Sequence, residues 1–248
     1  MAFNLSEISS RAPKELDKEE TKKKMPALLE ELDELQNLLY ANGKHGVLII
    51  IQGMDASGKD GAIKNVFGTL NPLGVVARSF KAPTEEELSY DFLWRVHKHV
   101  PPKGMIHVFN RSHYEDVLIT RVHKWIDEET ANKRIKAINH FEGLLQEHNN
   151  TIILKFYLHL SKKEQTERLN ERLTNSRKHW KANPNDFKEA ELWDDYMKAY
   201  EDCFANCNTP AWNIVPADQN WYKEYTIATT VITALKQLNM EYPQLKQQ

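Results

Sequence analysis

Two glycines and a lysine in the stretch GMDASGKD, residues 53–60, have the types and spacing of a phosphate-binding loop. Gly53, four intervening residues, Gly58 and Lys59 match the pattern G-x-x-x-x-G-K-[ST] except at its last position. Glycines at both ends let backbone N–H groups converge on an anion where a helix begins, and the lysine adds a positive charge against a transferring phosphate. The spacing therefore predicts phosphoryl chemistry, with a purely structural turn as the alternative.

The last position of the loop holds Asp60 instead of the hydroxyl that normally contacts magnesium. We interpret Asp60 as a first-turn acid that complements the helix dipole, and contact with a metal is the alternative. Asp55, inside the loop, is the better-placed metal ligand. The residues predicted to contact phosphate in and beside this loop are Gly53, Ala56, Ser57, Gly58, Lys59, Asp60 and Lys64.

A second polar group follows an apolar run in the sequence MIHVFNRSHYED. The predicted strand ends in neutral Asn110 where a carboxylate that orients magnesium is usual, and Arg111 follows with a planar fork suited to phosphate. Magnesium needs only one or two carboxylates beside phosphate oxygens. We therefore predict a metal set of Asp55, Glu115 and Asp116. The alternative is that Glu115 and Asp116 face solvent on the first turn of a helix.

A basic stretch, RLNERLTNSRKHWK at residues 168–181, contains five Lys or Arg residues and a single acid, Glu171. Arg168 and Arg172 are four positions apart and share a helical face. Charge runs are usually solvated. The position of this stretch after the fourth predicted strand favours a lid that clamps phosphates over the reaction.

Strands alternate with helices along the chain and must position these groups. Apolar runs predict strands at residues 46–53, 74–80, 105–110, 151–160 and 211–216. Helices are predicted from Pro26 to Gly43, after the loop to about residue 69, over 84–100, up to residue 149, and over 221–238. This order predicts an α/β fold with a doubly wound parallel sheet of about five strands flanked by helices. We assign residues 1–25 to a polar arm and 26–248 to a single domain with a helical lid around 165–205.

Composition excludes several classes of protein. The formal net charge of −2 provides no global basic field for nucleic acid, and no apolar run is long enough to cross a membrane. Cys203 and Cys207 are the only cysteines and have no nearby partners for a zinc set, so we expect packed thiols. We expect a cytoplasmic protein that binds neither nucleic acid nor membrane.

Four blocks together closely resemble the polyphosphate kinase 2 family: GMDASGKDGAIK, FNRSHYEDVL, SKKEQTERLNERLTNSRKHWK and WDDYMKAYEDCFANCNTPAWNIVPAD. They occur in the expected order and cover most of residues 30–235. The resemblance implies a thymidylate-kinase-like P-loop fold with a helical lid. It also implies phosphoryl transfer between inorganic polyphosphate and nucleotides, above all AMP and ADP, with Mg²⁺ or its substitute Mn²⁺. A homo-oligomer, dimer or tetramer, is expected on the same ground.

The resemblance also implies roles for individual residues. The predicted catalytic set is Asp55, Lys59, Arg111 and Arg172. The predicted polyphosphate path adds Arg168, Arg177 and Lys178. The predicted nucleotide-binding residues are Asn110, Arg111, Glu115, Asp116 and Arg121, with help from residues 81–95. Asn110 stands where the family often has Asp, so Glu115 and Asp116 are interpreted as substitute metal ligands. The stretch FNRSHYED resembles the branch of the family that accepts both nucleoside mono- and diphosphates.

Three other functions fit parts of the pattern. An ATP-dependent nucleoside monophosphate kinase would be expected to carry a hydroxyl after Lys59, and Asp60 is there instead. A nucleotide-gated switch would carry an N-K-x-D guanine motif, and the chain has none. A polyphosphate-binding module without turnover is the remaining alternative.

Overall fold

Five parallel strands form one sheet in the computed structural model, which describes residues 3–245. The strands are β1 (Gly46–Gln52), β2 (Val75–Ser79), β3 (Ile106–Asn110), β4 (Thr151–His159) and β5 (Trp212–Pro216). Their order across the sheet is β2-β3-β1-β4-β5, and all four neighbouring pairs are parallel. The predicted α/β fold with about five parallel strands is confirmed.

Helices cover both faces of this sheet. They are α1 (Lys18–Asn42), α2 (Lys59–Phe67), α3 (Glu85–Leu88), α4 (Trp94–His97), α5 (Ile119–Val122), α6 (Glu128–Asn149), α7 (Lys162–Thr174), α8 (Pro184–Glu191), α9 (Trp193–Asn206) and α10 (Asn220–Lys236). The described part of the chain also contains short 3-10 segments at Leu5–Glu7, His113–Val117 and Ser176–Lys181. No helix within residues 3–245 combines the length and apolar character needed to cross a membrane.

The central strand β1 divides the core into two layers. Every residue of β1 is buried, as its unbroken apolar sequence predicts for a strand covered on both faces. Leu48 and Ile50 pack with α6 and α9, whereas Val47, Ile49 and Ile51 pack with α1, α2 and α10. Successive side chains of a strand point to opposite faces, and this alternation explains the division.

The register of the strands brings the predicted polar groups to one edge. Ile51 of β1 pairs with Asn110 at the end of β3 and with Phe156 on β4. The loop after β1, Arg111 after β3 and the segment after β4 therefore all begin at the carboxyl end of the sheet. This edge is where open α/β sheets bind ligands.

The predicted polar arm of residues 1–25 is wrong from Lys18 onward, where a helix has already begun. Helix α1 begins at Lys18, where the Asp17 side chain accepts a hydrogen bond from Glu20 N, and Pro26 lies inside the helix. Pro26 resembles a helix start because proline favours the first turn. The Asp17 cap with its acidic first turn is the stronger start signal.

Residues 3–12 form an N-terminal strap that packs against the rest of the chain. Leu5 is buried in the core, and its backbone N–H donates to Glu201. The carbonyl of Ile8 lies 3.0 Å from His159 Nε2, and Ser10 Oγ donates to Asp218 Oδ2 at 2.9 Å. The segment has only ten residues and is too short for a hydrophobic pattern that would predict its packing.

The predicted helix over residues 84–100 is instead two short helices, α3 and α4. Thr84 and Glu87 form a capping box at the start of α3. Asp91 then interrupts the helix, because its side chain accepts a hydrogen bond from Leu93 N at 2.9 Å and closes a local turn.

Candidate active site

A cavity of about 770 Å³ opens at the carboxyl end of the sheet and collects most of the predicted site residues. The phosphate loop and the start of α2 contribute Asp55, Ala56, Gly58, Lys59 and Asp60. The end of β3 contributes Asn110 and Arg111, and the basic stretch contributes Arg168, Arg172 and Lys178. Three elements that are far apart in the sequence thus meet around one space.

The backbone of the phosphate loop is sharply curled. Gly53 and Gly58 have φ values of 152° and 88°, and Ala56 adopts a left-handed φ of 65° that costs energy for a residue with a Cβ. A Cβ on Gly53 would lie 2.9 Å from Ser57 Oγ and 3.0 Å from the Leu158 carbonyl oxygen. The first glycine is therefore required by close packing. Gly53 and Ser57 support the loop without lining the cavity.

Lys59 lies inside the curl of the loop. Its Nζ donates to the carbonyl oxygens of Gly53 at 2.7 Å and Met54 at 3.1 Å. Burial, followed by the charge of Arg111, lowers the pKa of Lys59 to about 8. The cation is thus held beside the place where an anion would enter, and an anionic ligand would favour its protonated form.

Arg111 connects the end of β3 to the loop. Its backbone has a left-handed φ of 61°, and its Nη2 donates to Asp55 Oδ1 at 2.6 Å. Its Nη1 lies 3.8 Å from Glu115 Oε2. The charge of Glu115, and after it that of Asp55, raises the pKa of Arg111 even against burial, so the guanidinium stays charged.

The two carboxylates beside Arg111 have opposite pKa shifts. Burial alone would raise the pKa of Asp55, but the charges of Lys59 and Arg111 outweigh it and hold the pKa below its usual value. Burial raises the pKa of Glu115 despite the same two cations. Asp55 is therefore the stronger anion of the two, and it lines the cavity while Glu115 does not.

Asp116 and Arg121 lie away from this group. Asp116 oxygens are 3.6 Å from Arg95 Nη2 and 3.9 Å from Arg134 Nη1. Arg121 donates at 2.6 Å to two carboxylates, those of Glu128 and Asp202. The predicted cluster of Asp55, Glu115 and Asp116 is not assembled, because the chain turns after Arg111 and directs Asp116 into other ion pairs. Lys64 and Arg177 are exposed and also lie outside the cavity.

Asp55 nevertheless fits a magnesium ion that is shared with a substrate. No group of three or more His, Cys, Asp or Glu side chains gathers as a metal site within residues 3–245. Magnesium often binds one or two carboxylates and completes its shell with phosphate oxygens and water. Asp55 lines the cavity as an ionised carboxylate, and within the described chain only its Oδ1 accepts a hydrogen bond from another side chain.

The basic stretch is tied to carboxylates around the cavity. Arg172 pairs with Asp186 on α8, and Lys178 pairs with Glu171. Lys181 Nζ lies 3.1 Å from Asp60 Oδ2, whose Oδ1 accepts from Asn110 Nδ2 at 2.8 Å. Asp60 therefore joins the end of β3 to the basic stretch, a role that neither interpretation of the sequence included.

Several residues of the site had no recognisable pattern in the sequence. Lys181 lines the cavity but was counted only as part of the basic run. Lys223 on α10 donates to Gly58 O at 3.2 Å, and Gln165 on α7 donates to Asp55 O at 3.1 Å. These side chains reach the loop from helices that follow it by more than a hundred residues, so no local spacing indicates them.

Comparison with known proteins places this architecture in a family. The family model for polyphosphate kinase 2 (PPK2) matches residues 15–243. The chain belongs to the polyphosphate kinase 2 family. The resemblance inferred from the four sequence blocks is thus confirmed, and the chain is a phosphotransferase of the PPK2 type.

Relatives cover most of this PPK2 chain. An AMP/ADP-polyphosphate phosphotransferase from Meiothermus ruber is 47% identical over 215 residues, which are 86% of this chain and 80% of the relative. An ADP-polyphosphate phosphotransferase from Rhodopseudomonas palustris is 42% identical over a 230-residue alignment, which covers 87% of this chain and 79% of the relative. The solved structure of polyphosphate kinase 2 from Arthrobacter aurescens TC1 matches with a TM-score of 0.96 at 40% identity, covering 99% of this chain and 89% of that one.

Proposed function

We propose that this PPK2 enzyme transfers the terminal phosphoryl group of inorganic polyphosphate to AMP and ADP, in a reversible reaction. The observation that carries the proposal is the series of cations in one cavity, from Lys59 and Arg111 at the loop to Arg172, Lys178 and Lys181 beside it. Such a series suits a donor that consists only of phosphates. The activities named for the relatives support the same substrates.

The reaction needs positioning and charge neutralisation more than acid–base chemistry. An oxygen of the acceptor's terminal phosphate, ionised near neutral pH, attacks the terminal phosphorus of the chain in line. The new P–O bond forms as the bond to the next phosphate breaks, and the shortened chain leaves with the negative charge. Lys59, Arg111 and Arg172 neutralise the charge that develops on the transferred group. Phosphate oxygens would bind Nη2 and Nε of Arg172, while its Nη1 keeps the contact with Asp186.

Asp55 is the residue that would hold magnesium in this proposal. When bound, the ion would neutralise phosphate charge and help align donor and acceptor. Mn²⁺ has the same preference for oxygen ligands and would substitute for magnesium. Use of nucleotides other than AMP and ADP, and assembly as a dimer or tetramer, belong to the same proposal.

The first experiment measures transfer from long-chain polyphosphate to AMP and ADP with magnesium and without ATP. We expect ADP and then ATP to form, and a chelator to stop both. Absence of transfer from polyphosphate, together with robust transfer from ATP to a nucleoside monophosphate, would favour the ordinary-kinase alternative. Binding of polyphosphate without transfer from either donor would favour the non-catalytic module.

Activity should fall above about pH 8, because the pKa of Lys59 is lowered to about 8. The ratio kcat/KM reports the protonation state of the free enzyme, so for polyphosphate it should drop about tenfold by about pH 9. The contribution of Lys59 to stability should show the opposite sign. Between about 8 and 10.5 the unfolded lysine binds more protons than the folded one, so the free energy of unfolding of the wild type should rise with pH relative to that of a Lys59→Met variant in that window.

A pH series of initial rates, with urea unfolding at the same pH values, measures both effects. Lys223 has its pKa lowered to about 8 as well, by burial first and then by the charge of Arg168, and so contributes to the same decline. A flat kcat/KM through about pH 9.5 would contradict the role given to the Lys59 charge.

Asp55→Asn should raise the magnesium concentration for half-maximal rate by about tenfold or more, because the amide keeps the shape and loses the ligand's charge. Asp116→Asn is the matched control. The Asp116 side chain pairs with Arg95 and Arg134, away from the cavity. The Asp116→Asn enzyme should therefore need the same magnesium concentration as the wild type. Magnesium titrations of the initial rate measure both variants. A larger shift in Asp116→Asn than in Asp55→Asn would reinstate the metal set predicted from the sequence.

A further inference from the structure

Arg168, on α7, is directed at the phosphate loop but donates to the protein itself. Its Nη1 donates to the carbonyl oxygens of Ala56 at 3.1 Å and Ser57 at 3.4 Å. Its Nη2 donates to the carbonyl oxygens of Ala217 at 2.8 Å and Asp218 at 3.0 Å, in the segment between β5 and α10. The guanidinium thus bridges two loops that are distant in the sequence.

The fifth donor of Arg168 is also engaged. Its Nε donates to Glu164 Oε1 at 2.8 Å, one helical turn earlier on α7. A guanidinium has five N–H groups, and five protein acceptors within the described residues match them one for one. A phosphate oxygen could bind Arg168 only by displacing one of these acceptors.

The contacts of Arg168 determine which backbone groups of the loop face an incoming anion. Carbonyl oxygens repel phosphate, and those of Ala56 and Ser57 are held by Arg168. Lys223 holds the next carbonyl, that of Gly58, at 3.2 Å and donates to Asn220 Oδ1 at 2.8 Å. With these carbonyls engaged by cations, the left-handed turn at Ala56 is kept in place.

We propose that Arg168 is a positioning residue, which fixes the phosphate loop in its anion-binding conformation and does not itself contact polyphosphate. The inference rests on the proposed function and deepens it, because it divides the basic stretch into cations that bind the donor and one that shapes the site. The acceptors on the far side are themselves fixed. The Asp218 side chain accepts hydrogen bonds from Ser161 N, Ser161 Oγ and Ser10 Oγ.

Arg172 provides the contrast on the same helix. It lies four residues later, and its Nη1 contacts the Asp186 carboxylate and the Lys181 carbonyl oxygen. Within the part of the chain that the structure describes, its Nη2 and Nε donate to no protein group. Arg172 therefore has donors available for phosphate without rearrangement, and Arg172→Ala is the matched control for Arg168→Ala.

Kinetics at two salt concentrations separates the two roles, because each cation that contacts a polyanion adds to the salt dependence of its binding. Arg168→Ala should lower kcat about 100-fold, as expected for a misplaced site, and leave the salt slope of polyphosphate binding unchanged. Arg172→Ala should raise the KM for polyphosphate and reduce that slope. Arg168→Lys should recover part of kcat. A reduced slope with kcat retained in Arg168→Ala would overturn the proposal.

Glu164→Gln tests the same proposal in a variant that keeps the volume of the side chain and removes a single charge. Because Glu164 lines the cavity, loss of its charge should tighten polyphosphate binding whichever role Arg168 has, so kcat is the deciding quantity. If Arg168 positions the loop, loosening it should lower kcat about threefold. An unchanged kcat in both Arg168→Ala and Glu164→Gln would overturn the proposal.

Calorimetric titration with tripolyphosphate at both salt concentrations measures the binding slope without turnover. A wild-type protein that binds tripolyphosphate but transfers no phosphate would contradict the proposed function. The slopes of Arg168→Ala and Arg172→Ala would still decide the role of Arg168: equal reductions would overturn it, and a reduction in Arg172→Ala alone would support it.

Discussion

Lys59→Met should lower kcat by about 1,000-fold while the protein remains folded, since one preorganised donor at a developing anion contributes 10²–10³ in rate. The Lys59 ammonium group also donates hydrogen bonds to two carbonyl oxygens of the loop, those of Gly53 and Met54. Methionine has a similar length and no charge. Because the lysine is buried with a pKa lowered to about 8, its removal also removes the cost of burying a cation, which offsets the lost hydrogen bonds.

Lys64→Met is the matched control for this prediction. Lys64 lies near the end of the same helix, is exposed, and does not line the cavity, although the sequence suggested a phosphate contact. Its substitution should leave kcat and the KM for polyphosphate within about twofold of the wild type. Initial rates and thermal unfolding measure both variants. Near-normal turnover by folded Lys59→Met would remove the loop lysine from the mechanism.

Lys155→Met should destabilise the protein by about 3–5 kcal/mol, a large part of the stability of an ordinary domain. Lys155 Nζ donates to Glu142 Oε2 at 2.8 Å, to Tyr114 Oη at 3.0 Å and to Cys207 O at 2.8 Å. The Lys155 and Glu142 side chains are fully buried. Without the lysine, the buried Glu142 carboxylate loses the positive charge that it pairs with in the core.

Urea unfolding of three variants tests the origin of this effect. Lys155→Met combined with Glu142→Leu should recover most of the lost free energy of unfolding, because an apolar pair can replace a buried ion pair. Lys133→Met removes an exposed lysine paired with Glu129 and should leave stability unchanged. If the double variant is as unstable as Lys155→Met alone, the lost free energy of unfolding comes from packing and not from the unpaired charge.

Activity should decline in Lys155→Met through Tyr114. This tyrosine donates to Glu142 Oε1 at 2.8 Å and belongs to the 3-10 segment that also carries Glu115. The buried network therefore fixes the segment that follows Arg111. A drop in kcat at temperatures where the variant is still folded would show that link directly.

The sequence predicted those parts of the fold that depend on local patterns. The buried run of β1 and the turn with Gly53 and Gly58 each require particular residue types at particular spacings. Both were found where they were predicted. The order of strands and helices then placed Lys59 and Arg111 at one edge of the sheet, because parallel strands share their carboxyl ends.

Roles that depend on distant partners could not be predicted in the same way. Asp116 was assigned to metal because it follows Arg111 closely, yet the left-handed backbone of Arg111 changes the direction of the chain. Asp116 then meets Arg134, and Arg121 meets Asp202, eighty-one residues away. Arginine is a residue type that often binds phosphate, but the guanidinium of Arg168 donates to five protein acceptors from three segments of the chain.

The N-terminal strap determines how this enzyme should be tethered to a solid support or joined to a fusion partner. A chain shortened to begin at Pro26 would lack the Leu5 anchor and the Ser10 contact to Asp218, whose carbonyl holds Arg168. A fusion partner attached near residue 3 would disturb the same contacts of Leu5 and Ser10. Residues 241–245 are exposed, so a linker at the carboxyl-terminal end leaves the donor site undisturbed.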